Sequence, residues 1–144
     1  MPEKAQTLKN HARLLPPYHL FVLPVLLLNV LNALRHVWTS PDLHDLWALV
    51  VAAALLALGL LARTMTLTVQ DRVIRLEMRM RLRELLPADL QPRIAELTPR
   101  QLIAMRFACD AELSDLTRAV LSDKLDPKSI KARVKDWQAD WLRA

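Results

Sequence analysis

The sequence predicts an all-α membrane protein: a two-helix transmembrane hairpin, a second helix that continues into the cytoplasm, and a small C-terminal helical bundle. Three observations lead there. Two uncharged apolar runs, Tyr18 to Leu34 and Leu46 to Ala62, lie close together near the start of the chain. Hydrophobic residues make up 53% of the 144 residues while aromatics supply only 5%, so the apolar content is mainly Leu, Ala and Val. A single glycine, Gly59, leaves the chain with few backbone breaks. Strands favour β-branched and aromatic residues, and glycine in helix interiors is costly, so this balance favours helix.

Each 17-residue run is about 26 Å long as a helix, near the lower limit for a ~30 Å hydrocarbon core. The first lengthens by taking in Pro17 and running to Trp38. The second extends through Thr64 to Val69 if Arg63 snorkels to the headgroups. The expected spans are therefore about 17–38 and 43–69. The second run is apolar all round, which a soluble amphipathic helix avoids. A secretory signal peptide is the competing explanation of the first run. Its length and the following Arg35, His36, Val37 and Trp38, in place of a small-residue cleavage site, argue against that.

Ser40-Pro41-Asp42 reads as a helix start, with Ser40 as N-cap and Pro41 at the first helical position. The short connection makes the two helices antiparallel neighbours. Tyr18, Trp38 and Trp47 stand at the run ends, where amphipathic rings suit the headgroup level. Lys4, Lys9 and Arg13 precede the first span. Arg35 lies by the connection, and Arg63, Arg72, Arg75, Arg79, Arg81 and Arg83 follow the second run. The positive-inside rule then places both termini in the cytoplasm and the loop outside. Residues 1–16 form a cytoplasmic N-terminal segment.

Gln70 to Leu86 contains neither Pro nor Gly, so one helix is expected from about Pro41 to Leu86. Its 70–86 portion is basic and amphipathic. Val69, Val73, Leu76 and Met80 form one stripe, and Ile74, Met78, Leu82 and Leu85 a second. That face is too wide for one two-stranded seam, so more than one neighbour is expected. Val69, Val73, Leu76 and Met80 are candidate oligomer contacts. Arg72, Arg75, Arg79, Arg81 and Arg83 are candidate contacts to anionic lipid.

Pro87 ends the long helix. Residues 87–144 form a nearly neutral small helical domain, with ten Lys or Arg against nine Asp or Glu. Thr98-Pro99-Arg100-Gln101 has the form of a capping box. Asp110 and Asp126-Pro127 mark two further starts. The implied helices are Pro99–Ala108, Ala111–Ser122 and Pro127–Arg143, with a short one near Ala88–Glu96. Leu102, Ile103 and Phe107, then Leu113, Leu116, Val120 and Leu121, then Ile130, Val134, Trp137 and Trp141, fit the helical period. So small a unit needs further cover from the long helix, the membrane or another subunit.

Residues that might carry chemistry are sparse. Asn29 and Asn32 share a face of the first span, where carboxamides seek interhelical partners. Together with Arg63 they are the candidate polar contacts within the membrane. His36, His44, Asp42 and Asp45 flank the loop in no metal-site spacing. The lone Cys109 permits no intramolecular disulfide and reads as a small apolar residue. Lys128, Lys131 and Lys135 share a helical face with Arg133 nearby, but no nucleic-acid-reading motif accompanies them. No glycine-rich phosphate loop and no supported nucleophile triad occurs. No cofactor and no enzymatic activity are expected.

Several strings carry a resemblance: Leu8-Lys9-Asn10-His11-Ala12-Arg13, Val69-Gln70-Asp71-Arg72-Val73-Ile74-Arg75-Leu76-Glu77, Leu85-Leu86-Pro87-Ala88-Asp89-Leu90, and Leu97-Thr98-Pro99 with Gln101-Leu102-Ile103-Ala104. On these the chain resembles, over nearly its whole length, a family of short bacterial membrane proteins of unknown function. The resemblance implies a bacterial inner-membrane location and no activity, cofactor or catalytic residue. The expected role is a non-enzymatic membrane-anchored interaction or scaffold protein that assembles as a homo-oligomer. The alternative is a subunit of a pore or transport system. The expected partners are the bilayer, further copies of the chain and another membrane or cytoplasmic protein.

Overall fold

The computed structural model describes Thr7, residues 14–40 and residues 42–139. Lys4, Lys9, His11, Arg13, Pro41 and Trp141 lie outside the described residues. The described residues are mostly helical and divide into two compact units, residues 14–68 and residues 69–139.

In the first unit, a π-helical stretch Pro17–Val22 leads into α1, Leu23–Thr39. Pro24 has no N–H to give to a carbonyl four residues back. The preceding turn is wound wider, and the Leu23 N–H donates to the Tyr18 carbonyl. Next to Pro24 the helix thus takes a π turn, a rare form that appears chiefly as single turns where the hydrogen-bond ladder is interrupted. Pro17–Thr39 and Leu43–Leu85 are both long and apolar enough to cross a membrane.

Ser40 closes α1 rather than opening the next helix, since its N–H donates to the His36 carbonyl. The N-cap role falls to Asp42, whose carboxylate accepts the Asp45 N–H at 2.6 Å. A carboxylate is well matched to the positive end of a helix. The long helix α2 then spans Leu43–Leu85, within two residues of its expected bounds. Its first part belongs to this unit and its last part to the next.

Gly59 on α2 faces α1. A Cβ there would lie 3.1 Å from Leu26 Cδ1, so a side chain at this position would oblige that leucine to give by a few tenths of an ångström. The Tyr18 hydroxyl donates to the Gly59 carbonyl at 2.8 Å. The less exposed positions of α1 are Leu23, Leu26, Val30, Ala33 and Val37, and those of α2 include Leu49, Ala52, Leu56, Gly59 and Arg63. Both sets recur at spacings of three and four, which is one stripe per helix.

The second unit is built around the end of α2. Ile74, Met78, Leu82 and Leu86 are buried there with Leu90, Ile94, Leu97, Leu102, Met105, Leu113, Val120 and Ile130. The 3₁₀ helix Gln91–Glu96 follows Pro87, and the Gln91 amide donates to the carbonyls of Arg83 and Leu86. This supplies a donor to two carbonyls at the C-terminal end of α2, where the last turn runs out of intrahelical partners.

Helix α3, Pro99–Met105, begins with the expected capping box: Thr98 accepts from the Gln101 N–H, and the Gln101 side chain accepts from the Thr98 N–H. Helix α4 spans Asp110–Asp123 and ends at Lys124 in the left-handed conformation. Its N-cap is Cys109, not Asp110, because Glu112 reaches back to the Cys109 N–H. Helix α5, Pro127–Arg133, is capped as expected by Asp126. Hydrogen bonds from Ser129, led by its side chain, hold the Asp126 carboxyl below the ordinary carboxylate range.

The expectation that the last helix runs to Arg143 is overturned within the described residues. Val134 turns extended, and Trp137 forms an isolated antiparallel bridge with Ala108. The Gln138 N–H donates to the Phe107 carbonyl at 2.7 Å. Glu112 holds the same segment by accepting the N–H groups of Lys135 and Asp136. The Trp137 ring then packs against Phe107 at 4.8 Å between centroids. These long-range bonds outcompete the continuation of α5. Phe107 and Val134 are buried as expected, while Ile103, Leu121 and Trp137 line the core's edge.

Candidate interaction surface

The end of α2 carries two apolar stripes with opposite fates. Met78 and Leu82 are 3% and 0% exposed, covered by the unit's own helices. Val69, Leu76 and Met80 are 61–62% exposed, and Val73 is 48% exposed. The expectation of a face too wide for one neighbour is therefore resolved into one open stripe and one covered stripe, the latter ending on Leu86 because Leu85, expected on it, is 38% exposed. Leaving a Leu, Val or Met in water forgoes about 1.5–3 kcal/mol each. Isolated exposed residues of this kind are ordinary, but four in one helical line form a patch.

The arginines expected to meet lipid are not equivalent. Arg81 is turned inward: its Nε donates to Asp110 at 2.6 Å and its Nη2 to the Ala108 carbonyl at 2.8 Å. It ties α2 to the start of α4, and a guanidinium fork suits this double contact. Arg75 is half-buried and donates to the Asp71 carbonyl of its own helix. Arg72, Arg79 and Arg83 are exposed. The partnership of Arg81 with Asp110 and the bonds collected by Glu112 were not anticipated. Only the three-residue offset from Cys109 to Glu112 hinted at a capping role, and nothing local indicated the rest.

Within the first unit Asn29 and Asn32 are exposed on α1, and Arg63 is half-buried on α2. No hydrogen bond joins any of the three to another among the described residues. The hydroxyls of Thr64, Thr66 and Thr68 donate to carbonyls four residues back, those of Leu60, Ala62 and Thr64. Polar atoms satisfied in this way can enter a low-dielectric medium at little cost. His36 and His44 are exposed, and no metal-holding group of His, Cys, Asp and Glu occurs among the described residues.

The basic face expected around α5 is dispersed. Lys135 lies beyond the helix, Arg133 pairs with Asp123 at 3.0 Å, and the Lys131 ammonium stands over the Phe107 ring at 5.6 Å. Cys109 is half-buried and serves as a cap.

A family model described as a family of unknown function, DUF6526, matches residues 1–144. No curated protein and no solved structure matches the chain.

Proposed function

The chain belongs to the DUF6526 family, and because that family prescribes no activity, we propose a function from the residues themselves: a non-enzymatic, membrane-anchored interaction protein that assembles with copies of itself. In this reading α1 and the first part of α2 cross a bacterial inner membrane as an antiparallel hairpin. Both termini are cytoplasmic. Residues 70–86 and the domain of 87–144 present the assembly surface on that side.

The observation that carries the proposal is the division of α2 into a covered and an open apolar stripe. The unit's own helices supply one neighbour, and the open stripe of Val69, Val73, Leu76 and Met80 calls for another. The close approach at Gly59 and the Tyr18 bond support a paired hairpin, and the back-bonded threonines support a span that continues past Arg63. Arg63 then snorkels toward the cytoplasmic headgroups.

Reporter fusions test the topology. N- and C-terminal fusions are expected to be active only with reporters that work in the cytosol; a C-terminal fusion active on the outer side removes the arrangement. Subunit stoichiometry in nanodiscs tests the assembly, with more than one copy expected per particle.

The exposure of Asn29 and Asn32 favours a second reading, a pore or transport subunit. Carboxamides on the outer side of a membrane hairpin want either a second copy or a polar path. Liposome measurements separate the two. Solute or ion flux that falls at least about tenfold with Asn29→Leu supports the path; tight liposomes with wild-type protein support assembly.

A further inference from the structure

The open stripe is flanked by charges in a pattern that selects a partner. With Val73 and Met80 at heptad position a, Val69 and Leu76 fall at d. The e positions are then Gln70, Glu77 and Glu84, and the g positions include Arg72 and Arg79. Acids thus flank one side of the stripe and bases the other. Arg72, Glu77, Arg79 and Glu84 are all exposed, and no ion pair engages them among the described residues.

Their own helix cannot readily neutralise them. Side chains on a helix meet at separations of three or four residues. Neither Arg72 nor Arg79 has an acid at such a distance. Glu77 and Glu84 each have one base there, Arg81, and its guanidinium is committed to Asp110 and the Ala108 carbonyl. The inward turn of Arg81 therefore leaves both acids free to face outward.

We infer that the partner on this stripe is a second copy of the chain, with the two α2 ends forming a parallel, in-register seam in which Arg72 meets Glu77 and Arg79 meets Glu84 of the other copy. In parallel two-stranded coils a g residue faces the e residue five positions later on its partner. Both pairs have that offset. An antiparallel seam would instead set g against g and e against e, bringing Arg to Arg and Glu to Glu. A β-branched residue at a with Leu at d, as at Val73 and Leu76, also favours two strands. The seam covers only about two heptads and would be weak alone. It rests on the reading that both copies are anchored in one membrane, which enforces the parallel direction and raises the effective concentration.

The test uses the full chain in nanodiscs and in mild detergent. R72E/R79E and E77R/E84R are each expected to weaken self-association roughly tenfold or more, because every cross-strand pair becomes repulsive. Differently tagged copies of the two variants, co-expressed, are expected to associate with each other in preference to themselves. The fourfold swap R72E/E77R/R79E/E84R restores self-association. Val69→Cys and Met80→Cys, tested separately beside wild type as the Cys109 control, each form a disulfide with the same position of the other copy. If the charge variants assemble like wild type, or the fourfold swap does not recover, this pairing is wrong while assembly by another surface stands. If neither cysteine crosslinks to its equal, the parallel register is wrong. A wild-type monomer at every accessible concentration overturns both this inference and the assembly reading.

Discussion

Replacing Leu76 and Met80 together by Asp is expected to weaken assembly of the chain by at least about a hundredfold while leaving its fold and its membrane insertion intact. Each side chain is more than half exposed in the single chain, so the substitutions bury no charge within one copy. In the assembled form, each is worth about 1.5–3 kcal/mol of burial. Two such losses per copy total roughly 3–6 kcal/mol, and each 1.4 kcal/mol is a factor of ten in the dissociation constant. Both positions lie beyond the apolar span, so insertion does not depend on them. Stoichiometry in nanodiscs across a dilution series measures the effect. Limited proteolysis of residues 87–139 serves as the control and should match wild type. An unchanged oligomer would mean that the open stripe is not the contact.

Leu82→Asp, two positions beyond Met80 on the same helix, is expected to unfold the second unit. Leu82 is fully buried among residues drawn from α2 to α5. A carboxylate placed there has no cationic partner in the apolar cluster, and burying it costs several kcal/mol or forces it to bind a proton. A domain of ordinary stability has only about 5–15 kcal/mol in total, and a small one sits at the low end. The milder Leu82→Ala removes contacts without a charge and should cost about 2–5 kcal/mol. Hydrogen exchange and proteolysis over residues 87–139 report the change: protection lost with Asp, and reduced but still cooperative with Ala. Retention of wild-type protection in Leu82→Asp would contradict the packing described for this unit. The two experiments form a pair. The same helix should tolerate charge on one stripe and fail with it on the other.

Local interactions are legible in the sequence itself. The Thr98–Gln101 capping box and the Asp126 cap are signalled within four residues, and the structure holds both. The long helix was legible because nothing between Leu43 and Leu85 interrupts its backbone, apart from one tolerable glycine. Its two apolar stripes were legible because helical periodicity depends only on spacing. Tertiary structure alone decided which stripe is covered, since periodicity marks the residues that need cover but not what supplies it. It also decided that α5 stops at Arg133, because the bonds from Lys135 and Asp136 to Glu112 and from Gln138 to Phe107 join segments more than twenty residues apart. It set Arg81 apart from the other arginines of its row for the same reason. Asp110 is near it in space and 29 positions away in the chain, and no local spacing rule registers a partner at that separation.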